Sequence, residues 1–585
     1  MSVDLILWNS IAKRRRSPSD TFLENGLGML KTYIEKQGFK VEIVDWARSE
    51  YWKKLTPRSL SRLNRFLSEK LLSRQVSGLS ITGLLSKLII PFFFISQEIT
   101  LVIQKRRMNV MLQKFAEFIR DSGCQVLGIK TWYGDAYVNA ITLANYVKML
   151  APEILIVAGG PHPSIYREAI LENDVFDIAV TGEGEKALTY ILALARHTLS
   201  KNELKEKIVS EASLGNLKNI VYRNDDSIKI SILDESDANK KEIPTYDNVD
   251  GKTLIHVVVD SLGCQWGKCN FCVHSCIYPK HTIRNPQSVV DEIEEMISKG
   301  IGIFRFAGSS SSLAHVQEIA RLLEKKEISI TYSMFALSES RASDQAIYSR
   351  IVESYKLLVR SGLRAVFIGG EAGDDRILHH MMGKGLIVDD ISATIRAMRE
   401  ASFEEGLPLD IGLSLIYPSP TMGIISLEEL KTANIKLVEQ TNPDSVLVNP
   451  PAPFPGVLWN KERKQFGFEL DESFTREMLE YDYVLYKPTS LWPDIKMNLE
   501  GMNFKQILEE CQSLRKSLEG RGYVTEVTDE HFLMMRAAGY KGKEGARKFK
   551  KESLLDIISS DYRWITQLEK TVNQESRAQA LINAR

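Results

Sequence analysis

The sequence predicts an α/β protein: a doubly wound, mainly parallel Rossmann-like sheet comes first, a partial or full α/β barrel follows, and the C-terminal region is mostly helical. Two observations predict this order. Short apolar runs alternate with segments of helical spacing up to about residue 200, and the alternation starts again near residue 251 and continues to about 475. Alternating strands and helices are typical of parallel sheets, which bind ligands at the carboxyl ends of their strands.

Length and composition limit the class of protein. The 585 residues are enough for three or four domains at roughly 100 to 200 residues each. The 75 basic and 75 acidic side chains cancel, so no general attraction for phosphates exists and we expect no nucleic-acid partner. Six cysteines in so long a chain exclude a secreted disulfide framework, and the first residues lack a signal-peptide pattern, which predicts a cytoplasmic protein.

The first predicted domain covers residues 1–200. Turns rich in glycine follow its later strands, at Gly159-Gly160 and at Gly182-Glu183-Gly184, and glycine lets the backbone approach a large ligand closely. No Gly-x-Gly-x-x-Gly follows the first strand, which disfavours a nicotinamide site. The predicted strands of this domain are 3–8, 38–45, 126–129, 154–158 and 176–180, and helices are predicted at 26–37 and 135–150.

A helical insertion is predicted at about residues 50–115 of this domain. Residues 53–74 hold seven basic side chains and one acid, Glu69, a composition compatible with a membrane-surface role, a ligand-covering role or a solvated helical face. The most apolar stretch, residues 88–103, contains Pro91 and is too short to span a membrane, so we expect no transmembrane segment but a buried or interfacial helix. The polar residues 201–250 are predicted to form a linker that contains strands.

The predicted barrel covers residues 251–475, and residues 476–585 are predicted to form a helical C-terminal domain that caps it. Helical segments separate the barrel strands, and six such repeats fit a partial or full α/β barrel. The predicted barrel strands are 254–259, 303–306, 330–333, 365–368, 409–415 and 445–448.

A cysteine cluster follows the first barrel strand. Thiolates spaced closely on a loop suit zinc or an iron–sulfur cluster. Zinc would need a fourth ligand, which Cys276 or His274 could supply. Three cysteines alone would leave one iron of a cubane open to another ligand. The cluster spans the 13 residues 264–276 and contains four of the six cysteines, Cys264, Cys269, Cys272 and Cys276.

A cysteine triad in the loop after the first strand of an α/β barrel resembles the radical S-adenosylmethionine (SAM) superfamily, although this chain has four residues between the first two cysteines where the family usually has three. The resemblance implies that Cys264, Cys269 and Cys272 bind a 4Fe-4S cluster whose open iron binds SAM. It also implies contacts to SAM from Phe271, before the last cysteine, from Ser309 and Ser310 after the second strand, from Arg341 after the third strand and from Glu371 after the fourth.

Two of these assignments have alternatives. Where the family usually carries a glycine-rich or acidic segment after the second strand, this chain has serines, whose hydroxyl groups accept a hydrogen bond less strongly than a carboxylate does. Glu371 could instead be a helix-capping or surface carboxylate.

The domain ahead of the barrel resembles the cobalamin-binding subgroup of the same superfamily, on the segments 26–30, 156–162 and 181–185, and the resemblance covers about residues 1–470. It implies that cobalamin binds at Gly159, Gly160, Gly182 and Glu183. The domain lacks the Asp-x-His-x-x-Gly motif of proteins that place a histidine on cobalt, so His162 is interpreted as a polar loop residue.

The resemblance implies an enzyme that methylates an unactivated carbon of a natural-product precursor or a peptide through a 5′-deoxyadenosyl radical and methylcobalamin. An external electron donor such as flavodoxin or ferredoxin is the implied partner. A radical cyclase, ring contraction or rearrangement enzyme without methyl transfer is an alternative within the same fold, and a non-catalytic zinc-binding protein is an alternative of another class. We expect the active site between the two domains, lined by residues 450–456 and covered by the C-terminal helices.

Overall fold

The N-terminal part of the chain builds a seven-stranded sheet in the order β2-β1-β3-β4-β5-β6-β7. The computed structural model describes residues 3–74, 82–308, 310–481 and 493–583. Strands β1 to β5 are parallel, and β6 and β7 continue the sheet as antiparallel strands. The strands are β1 (Leu5–Asn9), β2 (Val41–Asp45), β3 (Val126–Lys130), β4 (Leu155–Gly159), β5 (Ile178–Val180), β6 (Ile220–Asn224) and β7 (Ser227–Ile230).

Helices cover both faces of this sheet, which is why its central strands are apolar on both sides. Ile6 and Trp8 of β1 belong to a core that continues into the rest of the protein, whereas Leu5 and Leu7 belong to a second core on the opposite face. The helices are α1 (Asn25–Lys36), α2 (Ser49–Leu55), α3 (Arg58–Arg74), α4 (Thr82–Ser122), α5 (Asp135–Leu150), α6 (Pro161–Tyr166), α7 (Glu185–Ala195) and α8 (Lys201–Ser213), with 3-10 turns at Pro18–Thr21, Arg167–Leu171 and Ala238–Lys240.

A second sheet of six parallel strands forms the partial barrel, in the order β15-β14-β13-β12-β11-β8. A short antiparallel ribbon, β9–β10, lies beside it. The strands are β8 (Ile255–Val258), β9 (Ser261–Leu262), β10 (Thr282–Ile283), β11 (Ile303–Phe306), β12 (Thr331–Ala336), β13 (Leu363–Glu371), β14 (Asp410–Ile416) and β15 (Ser445–Asn449). The helices between them are α9 (His274–Ile277), α10 (Pro286–Ser298), α11 (Leu313–Lys325), α12 (Gln345–Arg360), α13 (Val388–Glu404) and α14 (Leu427–Thr441), with a π-helical turn at Ile377–Met381.

Among the residues that the structure describes, the C-terminal region combines six helices with a small antiparallel sheet, β16-β17-β18. Asp529 ties it to the barrel, because its carboxylate accepts hydrogen bonds from Arg305 and from Ser333, both at 2.8 Å. The elements are α15 (Leu458–Lys461), β16 (Phe468–Leu470), α16 (Phe474–Glu480), β17 (Met497–Leu499), β18 (Met502–Asn503), α17 (Phe504–Gly520), α18 (Asp529–Ala537), α19 (Gly542–Ser559) and α20 (Arg563–Ile582).

The predicted fold class is confirmed: a doubly wound sheet, a partial barrel and a mostly helical C-terminal region follow one another along the chain. The strands of the predicted linker, β6 and β7, join the edge of the first sheet. The predicted domain boundaries remain predictions. Among the helices that the structure describes, none combines the length and the apolarity that crossing a bilayer requires.

Candidate functional site

Two adjoining cavities lie where the carboxyl ends of the two sheets face each other. The smaller, of about 480 Å³, lies against β3, β4 and β5 of the first sheet. The larger, of about 650 Å³, lies between that sheet and the ends of β12 to β15. Trp132, Pro161 and His274 line both cavities, so the two spaces meet at these three residues. This is the edge of each sheet at which parallel strands bind ligands.

The cysteine loop connects β9 to α9 and carries Cys264, Cys269 and Cys272, which are all half-buried. Gly267 lies between the first two cysteines with a φ of 60°, in the left-handed region that glycine enters at no steric cost. A Cβ at this position would lie 3.2 Å from the Cys264 carbonyl oxygen. Gly267 therefore allows the chain to turn within the four-residue spacing that distinguishes this sequence.

The segment after β13 anchors the cysteine loop. The Asn270 backbone N–H donates to the Met382 carbonyl at 2.8 Å, and the Trp266 indole N–H donates to the Gly383 carbonyl at 2.9 Å. A Cβ at Gly385 would lie 2.2 Å from the Trp266 ring, so only glycine fits there without a shift of the indole. Contacts distant in sequence thus fix the position of the three cysteines.

The three thiols lie within electrostatic reach of one another. The pKa of Cys269 is raised to about 12, mainly by burial; Lys384 opposes this shift, and the nearby Cys272, Glu371 and Cys264 add to it. Burial likewise raises the pKa of Cys272 to about 11. Both thiols are therefore protonated at neutral pH in the free protein, and a metal centre that binds here must displace their protons.

The donor set on this loop includes three thiols, the number of protein ligands that leaves one iron of a 4Fe-4S cluster open. Within the described ranges, no three His, Cys, Asp or Glu side chains lie close enough together to hold a single metal ion. A zinc site needs such a group, because its ligands all lie about 2.0 to 2.3 Å from one ion. In a 4Fe-4S cluster each cysteine binds a different iron, so the sulfur atoms are further apart.

Phe271 and Glu371 both line the larger cavity. The Phe271 ring lies 5.5 Å from that of Trp459. Glu371 ends β13 with a φ of 63°, and its carboxylate accepts a hydrogen bond from Ser414 at 3.3 Å and faces the Lys384 ammonium at 3.5 Å. The residue is buried on the cavity wall, which argues against the alternative of a surface carboxylate.

Among the other predicted SAM contacts, the described residues Ser310 and Arg341 do not line the larger cavity. Ser309 lies outside the described residues. Ser310 is buried in the loop after β11. Arg341 is exposed in the turn before α12, with a φ of 55°, and it lines neither cavity. The predicted contact between Arg341 and the SAM carboxylate remains a prediction.

Asp260 is a residue that the sequence analysis missed. It is fully buried after β8, and its Oδ1 accepts hydrogen bonds from the Gly308 N–H and the Ser311 hydroxyl, both at 3.0 Å. In the described part of the chain, Asp260 Oδ2 and Ser310 Oγ have no hydrogen-bond partner. Burial raises the pKa of Asp260. Both oxygens are buried in the loops after β8 and β11, and neither Asp260 nor Ser310 lines either of the two cavities.

The predicted cobalamin residues Gly159, Gly160, Gly182 and Glu183 all line the smaller cavity. A Cβ at Gly159 or Gly182 would have no protein atom within 4 Å, so both glycines face open space. Gly160 has a φ of 92°, and a Cβ there would lie 3.0 Å from Lys130. The absence of side chains on this wall leaves room for a bulky ligand at the strand ends, which fits cobalamin.

Glu183 is part of a half-buried charge cluster on the same wall. The Lys241 ammonium lies 2.6 Å from the carboxylate of Glu183 and 2.8 Å from that of Glu185. Burial lowers the pKa of Lys241, but the two carboxylates outweigh this effect and hold the pKa above its usual value. Lys241 stays charged and fixes both carboxylates beside the cavity.

The walls of the larger cavity are rich in aromatic residues. Pro450, Pro451, Ala452 and Phe454 belong to the loop predicted to line the active site, and the C-terminal region contributes a further wall that includes Phe504. An aromatic, largely apolar wall excludes water. The aromatic residues are Trp132, Tyr133, Tyr166, Phe271, Phe335, Phe454, Trp459, Tyr481 and Phe504.

His162 lines the larger cavity but not the smaller one. Its Nε2 lies 3.1 Å from the Leu479 carbonyl oxygen, and its ring packs against Tyr137 and Tyr166. Burial lowers the pKa of His162 to about 4, so the imidazole is neutral near pH 7 and its Nε2–H donates to that carbonyl. His162 therefore joins the first sheet to the C-terminal region.

Two family models match this chain. The B12 binding domain model matches residues 99–192, and the Radical SAM superfamily model matches residues 258–416. The anaerobic magnesium-protoporphyrin IX monomethyl ester cyclase of Cereibacter sphaeroides is 23% identical over 318 residues, which are 52% of this chain and 48% of that protein. The chain thus matches about half the length of this relative.

Two solved structures share the overall fold. The radical S-adenosylmethionine methyltransferase TsrM from Kitasatospora setae, with cobalamin and a 4Fe-4S cluster bound, gives a TM-score of 0.61 at 12% identity, with 95% of this chain and 99% of that chain covered. The cobalamin-dependent S-adenosylmethionine radical enzyme OxsB, with aqua-cobalamin bound, gives 0.53 at 14% identity, with 98% and 80% covered. At these identities the likeness concerns the fold.

Substituting Gly385→Ala tests the anchoring of the cysteine loop. The new methyl group would overlap the Trp266 indole, and such overpacking costs about 1–3 kcal/mol, so we expect the loop to shift and to incorporate less iron. Gly520→Ala is the matched control, because a Cβ at Gly520 meets no atom within 4 Å. The measurement is iron per chain after anaerobic reconstitution, and equal iron in both variants would contradict the anchoring.

Proposed function

We propose that this chain, which matches the Radical SAM superfamily and B12 binding domain models, methylates an unactivated carbon of a natural-product precursor or a peptide. The observation that carries the proposal is the pair of adjoining cavities. A substrate in the larger cavity lies beside Phe271 and Glu371 on one side and beside Trp132 and Pro161, which also line the smaller cavity, on the other. Methyl transfer to carbon requires access to both sites at once.

The ligand assignments are part of the proposal. When bound, the cluster and SAM supply a radical that abstracts hydrogen, and cobalamin supplies a methyl group. We assign Cys264, Cys269 and Cys272 to the cluster; Phe271, Ser309, Ser310, Arg341 and Glu371 to SAM; and Gly159, Gly160, Gly182 and Glu183 to cobalamin.

Side chains of this protein orient the ligands and exclude water. Lys384 and Ser414 hold the Glu371 carboxylate against the cavity wall, so that its position does not depend on a ligand. Asp260 orders the loop after β11, because its Oδ1 accepts hydrogen bonds from the Gly308 N–H and the Ser311 hydroxyl. The aromatic wall keeps water from the substrate, which limits side reactions of reactive species.

A radical cyclisation, ring contraction or rearrangement without methyl transfer is the second candidate. It is supported by the similarity to a protein that is itself named a cyclase. Both candidates need a one-electron donor, for which we propose a flavodoxin or a ferredoxin.

Product analysis separates the two candidates. The reconstituted protein would be incubated with SAM, hydroxocobalamin, a strong reductant and a panel of aromatic small molecules and peptides. Methyl transfer predicts 5′-deoxyadenosine together with S-adenosylhomocysteine, and a product heavier by one CH2 unit in mass spectrometry, because methyl replaces the abstracted hydrogen. Formation of 5′-deoxyadenosine and a rearranged product without S-adenosylhomocysteine would refute methyl transfer and support the second candidate.

Single cysteine substitutions test the cluster assignment. We expect Cys264→Ala, Cys269→Ala and Cys272→Ala each to abolish the brown colour of the reconstituted protein, because each removes one iron ligand. Cys276→Ala should keep the colour, because Cys276 lies beside the triad but is not assigned to the cluster. Cys124→Ala is a second control, at a buried thiol outside the cysteine loop. Visible absorption and metal analysis measure the outcome. Loss of the colour in Cys276→Ala, or zinc in place of iron, would refute the assignment.

Substituting Gly159→Val tests the cobalamin assignment. Valine would project into the smaller cavity without meeting a protein atom within 4 Å of its Cβ, so the fold should persist while the ligand is displaced. We expect the dissociation constant for hydroxocobalamin to rise at least about tenfold, which is about 1.4 kcal/mol. Absorbance titration measures it. Gly520→Val is the control, and equal affinity in both variants would show that the ligand binds elsewhere.

A further inference from the structure

Helices α3 and α4 bury polar side chains where they pack together. The Asn64 side chain donates to the Thr100 hydroxyl at 2.8 Å, and the Ser96 hydroxyl donates to Asn64 at 2.5 Å. Further along, the Gln104 amide donates to the Thr56 hydroxyl at 2.9 Å. Asn64, Thr100 and Gln104 are fully buried. In the part of the two helices whose side chains are described, buried hydrogen bonds therefore join α3 to α4 at Asn64.

The opposite side of the same two helices is apolar. We name as the outer face six side chains that are each between 49% and 63% exposed: Phe66, Phe92, Phe94, Ile95, Ile99 and Val102. Four of them, at positions 92, 95, 99 and 102, follow the three- and four-residue spacing of one helical stripe. These four residues form one apolar stripe, and the exposed Glu98 borders it, one helical turn from Ile95 and from Val102.

This polarity is the reverse of what a water-facing helix shows. A helix on the surface of a globular protein normally buries its apolar stripe and exposes its polar one. Here the hydrogen-bonded polar residues are inside, and large apolar residues face outward. Contiguous exposed apolar patches on soluble proteins mark contacts with a membrane or with another protein.

The charge around the outer face selects between these partners. The next exposed residues of the apolar stripe along α4 are Lys105 and Arg106, and among residues 50–107 the exposed basic side chains outnumber the exposed acidic ones. The chain as a whole has equal numbers of both signs, so this excess is local. Two copies that met through the outer face would bring like-charged rims together, which is unfavourable. An anionic surface is the complementary partner.

We infer that the outer face rests on the surface of a lipid bilayer that contains anionic lipids. The apolar stripe enters the region between the headgroups and the acyl chains, and the basic side chains beside it contact lipid headgroups. The helices lie on the bilayer and do not cross it, in agreement with the absence of a spanning helix among the described residues. This inference does not depend on the reaction that the enzyme catalyses.

Vesicle flotation with the reconstituted full-length protein tests the inference. Vesicles of phosphatidylcholine alone are compared with vesicles that also contain phosphatidylglycerol. We expect binding to the anionic vesicles, weakened by salt, and a loss of at least about tenfold in the double variant Phe92→Gln and Phe94→Gln. Phe403→Gln is the matched control, because Phe403 is 87% exposed on α13, outside the outer face.

Charge reversal at two basic residues tests the inference independently. We expect Lys105→Glu with Arg106→Glu to reduce binding to the anionic vesicles, and Lys505→Glu, at an exposed position of α17, to leave it unchanged. All substituted side chains are exposed, and thermal melting checks that each variant is folded. The inference is overturned if the protein binds neither vesicle, if the Phe403 control loses binding equally, or if the protein instead forms dimers that the Phe92 and Phe94 substitutions abolish.

Discussion

The site depends on one geometric constraint, which is that the carboxyl ends of two separate parallel sheets face each other. A buried ion pair helps to fix this arrangement: the Lys252 ammonium, just before β8, lies 2.8 Å from the Asp45 carboxylate at the end of β2. Burial alone would raise the pKa of Asp45, but Lys252 lowers it below its usual value. Since an unpaired buried charge is strongly unfavourable, each of these residues holds the other in place.

The C-terminal region completes the same arrangement from the other side. Arg15, in the segment after β1, forms a fully buried ion pair with Asp556 of α19 at 2.9 Å. His162 bonds to the Leu479 carbonyl, and Asp529 accepts hydrogen bonds from the barrel strands. The first sheet, the barrel and the last helices are therefore packed as one unit around the larger cavity.

Local patterns in the sequence predicted what depends on local structure. Helix α5 was expected at residues 135–150 and is observed at Asp135–Leu150, because its apolar spacing needs no distant information. The cysteine triad is local in the same sense. In contrast, Asp260 and Lys384 contact residues that are distant in the sequence. No local spacing pattern predicts these contacts. Arg341 followed a predicted strand as expected, yet the turn that holds it leaves it exposed.

The insertion shows a second limit of sequence patterns. Counting basic residues indicated a helical surface, but it could not tell which side of α4 faces the protein, because apolar residues occur on nearly every side of that segment. The orientation of α4 is indicated by the polar residues at positions 96, 100 and 104. They repeat every four residues and so share one side of the helix. A polar stripe in an otherwise apolar helix predicts a buried polar seam, and it leaves the apolar sides outside.

Methyl transfer and cyclisation use the same fold, and they differ in where the reacting carbon must lie. A carbon that receives a methyl group must reach both ligand sites, whereas a carbon that only loses hydrogen needs to reach the cysteine side alone. In this protein Trp132, Pro161 and His274 belong to the walls of both cavities, so a ligand in the larger one lies against the boundary of the smaller. That shared boundary would let one substrate carbon reach both sites, which is the geometric condition that the proposed methyl transfer sets.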